Sequence, residues 1–222
     1  MALPVARQQS YNITILGAMN PRIHHPFWYK LIGAITEEEY KQALSDPQLI
    51  CTAFASQFSV SNIAVACQGE RYTISTQIAG NRKRIAEIAG IVFKKLFETP
   101  INRVGCNSIL ELETTVKNVG AWISAKMDVA RFGFSAESLK SGQLSLTSAL
   151  QNHTQTITLG PSALAQDVVS LAINTEYKPT AKAGEVYVDF SPDLTVWLEA
   201  NVGRAMDLAA TLVSTMNSAE GQ

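Results

Sequence analysis

Residues 63–97 read IAVACQGERYTISTQIAGNRKRIAEIAGIVFKKLF, and this stretch decides the architecture. Ile63, Val65 and Cys67 recur every second position, as do Tyr72, Ile74, Thr76 and Ile78, which is the period of half-buried strands. Gln68-Gly69-Glu70 between them is a turn, because Gly accepts a positive φ without steric cost. From Gly80-Asn81 the period lengthens. Ile85, Ile88, Val92 and Leu96 fall on one face of a helix expected to run to about Phe97, where Thr99-Pro100 stops it. A hairpin whose apolar positions alternate with Ser and Thr suits an antiparallel sheet with one solvated face, and the helix then packs on the other.

The flanking segments extend this plan. Tyr11 to Leu16 reads as a strand, with Ile13 and Ile15 opposite Asn12, Thr14 and Leu16. Thr36-Glu37-Glu38-Glu39 is a capping box that starts a short helix ending near Leu44, before Ser45-Asp46-Pro47. Val104 to Leu112 is a second long strand with Cys106, Ser108, Leu110 and Leu112 on one face. Val116 to Met127 is weakly helical, and Ser135 caps a short turn ending near Gly142. Leu144 to Leu150, Thr156 to Leu159, Val169 to Tyr177 and Val186 to Phe190 alternate as strands, with Gln151-Asn152-His153 as a turn. Ser191-Pro192-Asp193 opens a last helix running to about Met216.

The order therefore reads strand–helix–strand–strand–helix twice, with Trp28 and Trp122 in comparable places. The expected fold is α+β: an antiparallel sheet, built as two fused half-units over residues 10–98 and 103–216, with two long helices on one face. Residues 1–9 and 217–222 are expected to be flexible ends.

The 222 residues are 46% hydrophobic and only 17% charged, with a net charge of −1. Such a chain is too apolar to be disordered and lacks the basic excess of a nucleic-acid binder. Three widely spaced cysteines do not make a disulfide scaffold. They suit buried thiols in a reducing compartment, so a cytoplasmic location is expected. Residues 1–10 have no signal-peptide pattern, and no apolar run approaches the length of a membrane span. Charge is unevenly shared: residues 1–100 hold ten Lys/Arg against seven Asp/Glu (+3), and the remainder eight against twelve (−4).

No G-x-S-x-G, Walker A, G-x-G-x-x-G or H-E-x-x-H pattern occurs, so no catalytic residue, metal site or cofactor is assigned. Asp189 and Asp193 flank the last strand–helix junction and read as caps. Two groups are candidate binding residues. The first lies in residues 20–29, NPRIHHPFWY, where Arg22, His24, His25, Trp28 and Tyr29 combine residue types that carry interface energy. The second is Arg82, Lys83 and Arg84, three cations at a helix N-terminus. They oppose the macrodipole, and read either as an anion-docking point or as a solvated first turn.

Asn20-Pro21, Pro26 and Trp28, the acidic short helix, the hairpin and helix, and Thr99-Pro100-Ile101 leading to Gly105-Cys106-Asn107 together resemble a scattered group of uncharacterised bacterial α+β proteins, over residues 11–110. The resemblance implies a bacterial or phage source and an α+β domain, and it carries no site residues.

The functional expectation is a non-enzymatic protein-binding or assembly protein. The alternative is a small-molecule carrier or enzyme with a cavity between the sheet and the long helices. The expected partner is another protein or a second copy. Ala200, Gly203, Ala205, Ala209 and Ala210 make the 192–216 helix rich in small residues and poor in charge, which suggests a homodimer contact there. Neither nucleic acid nor membrane is expected as a partner.

Overall fold

The computed structural model describes residues 6–126, 143–149, 153–179 and 189–218. The expected turn ending near Gly142 lies outside these residues, as do Gln151, Asn152, Leu150 and all but the end of the expected 186–190 strand.

The described strands form one antiparallel sheet of nine. The first half contributes β1 (Ala6–Gly17), then β2 (Ile50–Cys51), β3 (Ala55–Val60), β4 (Ile63–Gln68) and β5 (Arg71–Thr76). The second half contributes β6 (Ile101–Glu113), β7 (Leu144–Ala149), β8 (His153–Pro161) and β9 (Val168–Tyr177). Across the sheet the order is β2-β3-β4-β5-β1-β6-β9-β8-β7. Counting outward from the β1–β6 seam, each half runs from its first strand to its last and then back in descending order, β1-β5-β4-β3-β2 and β6-β9-β8-β7, the two-residue β2 being the extra strand of the first half. Among the described residues the first half carries four sheet strands between α2 and α3, and the second half three between α4 and α5, where the repeated order suggested two.

Five helices accompany the sheet among the described residues: α1 (Pro26–Leu31), α2 (Glu37–Leu44), α3 (Arg82–Lys95), α4 (Val119–Lys126) and α5 (Leu194–Ser218). The long helices lie on one face, α3 over β1 and β5, α5 over β6 and β9. None is long and apolar enough to cross a membrane.

Local chemistry accounts for the boundaries. Thr36 Oγ1 accepts from the Glu39 N–H, while Glu39 Oε2 accepts from the Thr36 N–H at 2.8 Å, closing the capping box of α2. Gly69 takes φ +55° in the β4–β5 turn. Ser61 and Asn62 take φ +48° and +63°, which makes the β3–β4 link a tight primed hairpin turn. Gly17 is required by close approach, since a Cβ there would sit 2.2 Å from the Pro100 carbonyl oxygen. Ser191-Pro192-Asp193 forms a 3₁₀ turn before α5 with Phe190 rather than Ser191 at the N-cap position, and Asp189 Oδ1 accepts from the Ser191 N–H at 3.0 Å.

Several expectations are corrected at the edges. β1 begins at Ala6, and Gln8 and Gln9 pair with Glu111 and Leu110, so residues 6–9 are strand. Asn217 is tied down as well, its Oδ1 accepting from the Thr115 N–H at 3.1 Å. His153 is the first residue of β8, opposite Tyr177. Gly160 and Pro161 remain in that strand, paired with Ser170 and Val169.

The core divides into two clusters. One gathers Tyr11, Ile13, Ile15, Phe58, Val65, Tyr72, Ile85, Ile88 and Val92 with Leu194, Leu198 and Val202 of α5. The other gathers Leu110, Leu112, Ile123, Val169, Leu171 and Ile173 with Ala205, Ala209 and Met216 of the same helix. Trp28 on α1 packs partly buried against the first, and Trp122 on α4 against the second.

A buried polar anchor fixes α5 to the sheet. Asn201 Nδ2 donates towards Cys106 O at 3.0 Å, Thr175 Oγ1 at 2.9 Å and Ile173 O at 3.3 Å, and its Oδ1 accepts from Ser108 Oγ. Two of the small residues of α5 find their explanation here, while Ala200 and Gly203 are exposed. Ala205 and Ala209 are buried against the sheet, so intramolecular packing accounts for that flank. Ala209→Arg would therefore disrupt the core.

The sheet's second face carries Thr14, Asn12, Thr73 and Ser75 of the first half beside Asn107 and Asn174 of the second. Across the seam Asn107 Nδ2 donates to Asn12 Oδ1 at 2.7 Å.

Candidate binding cleft

The stretch singled out at residues 20–29 folds as a loop and one short helix. Asn20 Oδ1 accepts from the Arg22 N–H, bending the chain after Met19. His25 caps α1, its Nδ1 accepting from the Phe27 N–H at 3.1 Å, and Pro26 occupies the first helical position. Gly33, at φ +74°, ends the segment after Ile32.

This geometry sorts the candidates by depth. His24 is 1% exposed and Tyr29 is fully buried, so both belong to the core rather than the surface. His24 Nδ1 and the Tyr29 hydroxyl share a hydrogen bond of 2.9 Å, and the Ser56 hydroxyl donates to the His24 carbonyl oxygen. The His24 ring also lies against Tyr72, 5.2 Å between centroids. Burial lowers the His24 pKa to about 4 and raises those of Tyr29 and Tyr72. Burial likewise pushes the thiols of Cys67 and Cys106 up to about 11 and about 12. At neutral pH these groups therefore all carry their neutral forms, which suits a packed core and not an activated nucleophile or base.

At the surface, Arg22, His25 and Trp28 converge on a cleft of about 540 Å³ between α1 and the C-terminal end of α3. Phe27, Ile23 and Ile32 supply further apolar wall from the α1 side, and α3 adds Lys95 and Leu96. Phe27 is 49% exposed, and Leu31 on the next turn 70% exposed. Neither Arg22 nor Lys95 makes an ion pair among the described residues, whereas Lys30 is held by Glu37 at 3.1 Å and lies over the Tyr40 ring.

The basic turn lies at the other end of α3, about 20 Å from Lys95 at 1.5 Å per residue. Two of its three cations are engaged. Arg84 Nη2 donates to Ala34 O at 2.8 Å and to Glu39 Oε2 at 3.2 Å, tying α3 to α2. Arg82 lies over the Tyr11 ring and 3.7 Å from Glu199 of α5. Lys83 alone points to solvent. The carboxylates of Glu39 and Glu199 thus stand where a docking anion would compete with them.

Among the described residues no group of three His, Cys, Asp or Glu side chains could hold a metal ion. A scan of the chain against protein-family models finds no match, and a search of the curated proteins finds none either.

Lys95, Leu96 and Ile32 were not legible as site residues in the sequence. Lys94-Lys95 reads as an ordinary basic helix end, and nothing local marks its meeting with residues 22–28 some seventy positions earlier.

Proposed function

We propose that this is a non-catalytic binding or assembly protein that captures a partner protein at the α1–α3 cleft. The observation that carries the reading is the convergence there of the half-exposed Phe27 and the partly buried Trp28 with the unpaired cations Arg22 and Lys95. Exposed aromatics beside Arg are the residue types that dominate interface energies.

The sheet order supports reading the two halves as a duplicated unit, since each runs the same way outward from the seam. Partner capture then belongs to the first unit, whose α1 presents the aromatics.

The test is affinity capture with the wild-type chain and with Phe27→Ser, followed by binding measurements on the captured protein once purified. The expected result is a partner whose direct binding falls with Phe27→Ser and survives Lys83→Gln. A partner bound equally by wild type and Phe27→Ser would overturn the cleft as the contact.

A further inference from the structure

We infer that the segment held in this cleft is an acidic peptide, one that places an Asp or Glu carboxylate beside a bulky apolar side chain. The inference rests on the protein-binding reading above and names the partner's chemistry.

The argument is charge complementarity. The ionisable side chains that line the cleft are Arg22, His25 and Lys95, all of one sign or neutral, with no carboxylate among the lining residues. Around α1 to α3 the partly buried cations have found acids, Lys30 with Glu37, Arg84 with Glu39 and Glu87, Arg82 with Glu199, while Lys41, Lys83 and Lys94 stand exposed outside the cleft lining with no ion pair among the described residues. Arg22 and Lys95 are exposed and make no such pair among the described residues. Two unpaired cations over a low-dielectric aromatic wall attract an anion more strongly than the same charges on an open surface. An Arg fork also prefers a carboxylate in bidentate geometry.

The apolar requirement comes from the walls. Phe27, Trp28 and Ile32 on the α1 side and Leu96 at the end of α3 offer a slot that a purely charged segment would leave wet. Filling it with one apolar side chain removes that surface from water, and the carboxylate sets register and orientation.

The experiment uses the full chain and three short fluorescein-labelled peptides, read by anisotropy. The first peptide carries one Phe among Asp and Glu. The second replaces its acids with Lys, and the third replaces its Phe with Ser. The first should bind, with affinity falling as salt rises. The other two should bind at least about tenfold more weakly, and Arg22→Ala/Lys95→Ala should weaken the first by a similar factor. Both replaced side chains are exposed and unpaired, so unchanged melting of the double variant confirms that the fold is intact.

Equal binding of the Lys peptide, no binding of the acidic peptide, or indifference to the double variant would overturn the inference. If the captured partner depends on Phe27 but not on Arg22 and Lys95, the acidic segment is wrong while the protein-binding reading stands. If it depends on neither, the reading itself fails. Dimerisation of the chain abolished by Arg22→Ala/Lys95→Ala would replace the separate partner with a second copy, and equal affinity for benzoate would replace the peptide with a small carboxylate.

Discussion

His24 makes the protein's stability depend on pH in a way that can be worked out beforehand. In the unfolded chain an imidazole titrates near 6.5; in the folded protein burial lowers this to about 4. Between these values the unfolded state takes up a proton that the native state refuses, so stability falls as pH drops from about 6.5 towards 4 and then levels off. From pH 7 to pH 4.5 the loss is roughly 2–3 kcal/mol for this one group. That is a large share of the roughly 5–15 kcal/mol expected for a domain. The assay is urea denaturation of wild type and His24→Gln at both pH values. Glutamine cannot titrate, so its variant should lose roughly 2–3 kcal/mol less than wild type between the two conditions, whatever it costs at pH 7. Equal losses in the two proteins, or an NMR titration placing the His24 ring at its ordinary pKa, would refute the burial argument.

Three further outcomes are expected. Ile88, fully buried on α3, should cost roughly 2–4 kcal/mol as Ile88→Ala, read by chemical denaturation. Asn201→Ala should cost about 2–3 kcal/mol, because it strands Ser108 and Thr175 in the core, and hydrogen exchange along α5 should rise with it. Arg84→Gln should lower stability by up to about 1 kcal/mol, a partly exposed tether discounted for screening. Lys83→Gln should leave the melting temperature unchanged. Relief of the helix dipole alone would raise stability in both, so a more stable Arg84→Gln would mean that its bonds to Ala34 and Glu39 contribute nothing.

Much of the fold was legible because it rests on local periods. The β4–β5 hairpin, the buried stripe of α3, the two faces of β6 and the capping box of α2 all follow from spacing alone. β3 escaped notice because its inward positions begin with Ser56, a polar residue buried by its bond to the His24 carbonyl. Its alternation is thus apolar only at Phe58 and Val60. The Ser61-Asn62 turn that closes it was a usable signal, two residue types tolerant of positive φ between alternating runs. The candidate site was half legible. Residue type picked out Arg22, His25 and Trp28, but depth could not be read from type, and it sends His24 and Tyr29 into the core. The basic turn misled for a related reason: sequence shows the cations of α3, not the acids of α2 and α5 that fold against them.

The placement of α5 has a consequence for synthesis. Its first turns, through Leu194, Leu198 and Val202, complete the core of the first half, and its later turns complete the second. Residues 6–95 therefore leave the ribosome well before the helix that seals them. At about 5–20 residues per second, the roughly one hundred residues from Lys95 to Leu198 take on the order of 5–20 s. For that interval the inward faces of Val104, Cys106 and Phe93 stand uncovered. A nascent chain stalled before Leu194 is thus the form of this protein that a chaperone would meet with its apolar floor still open.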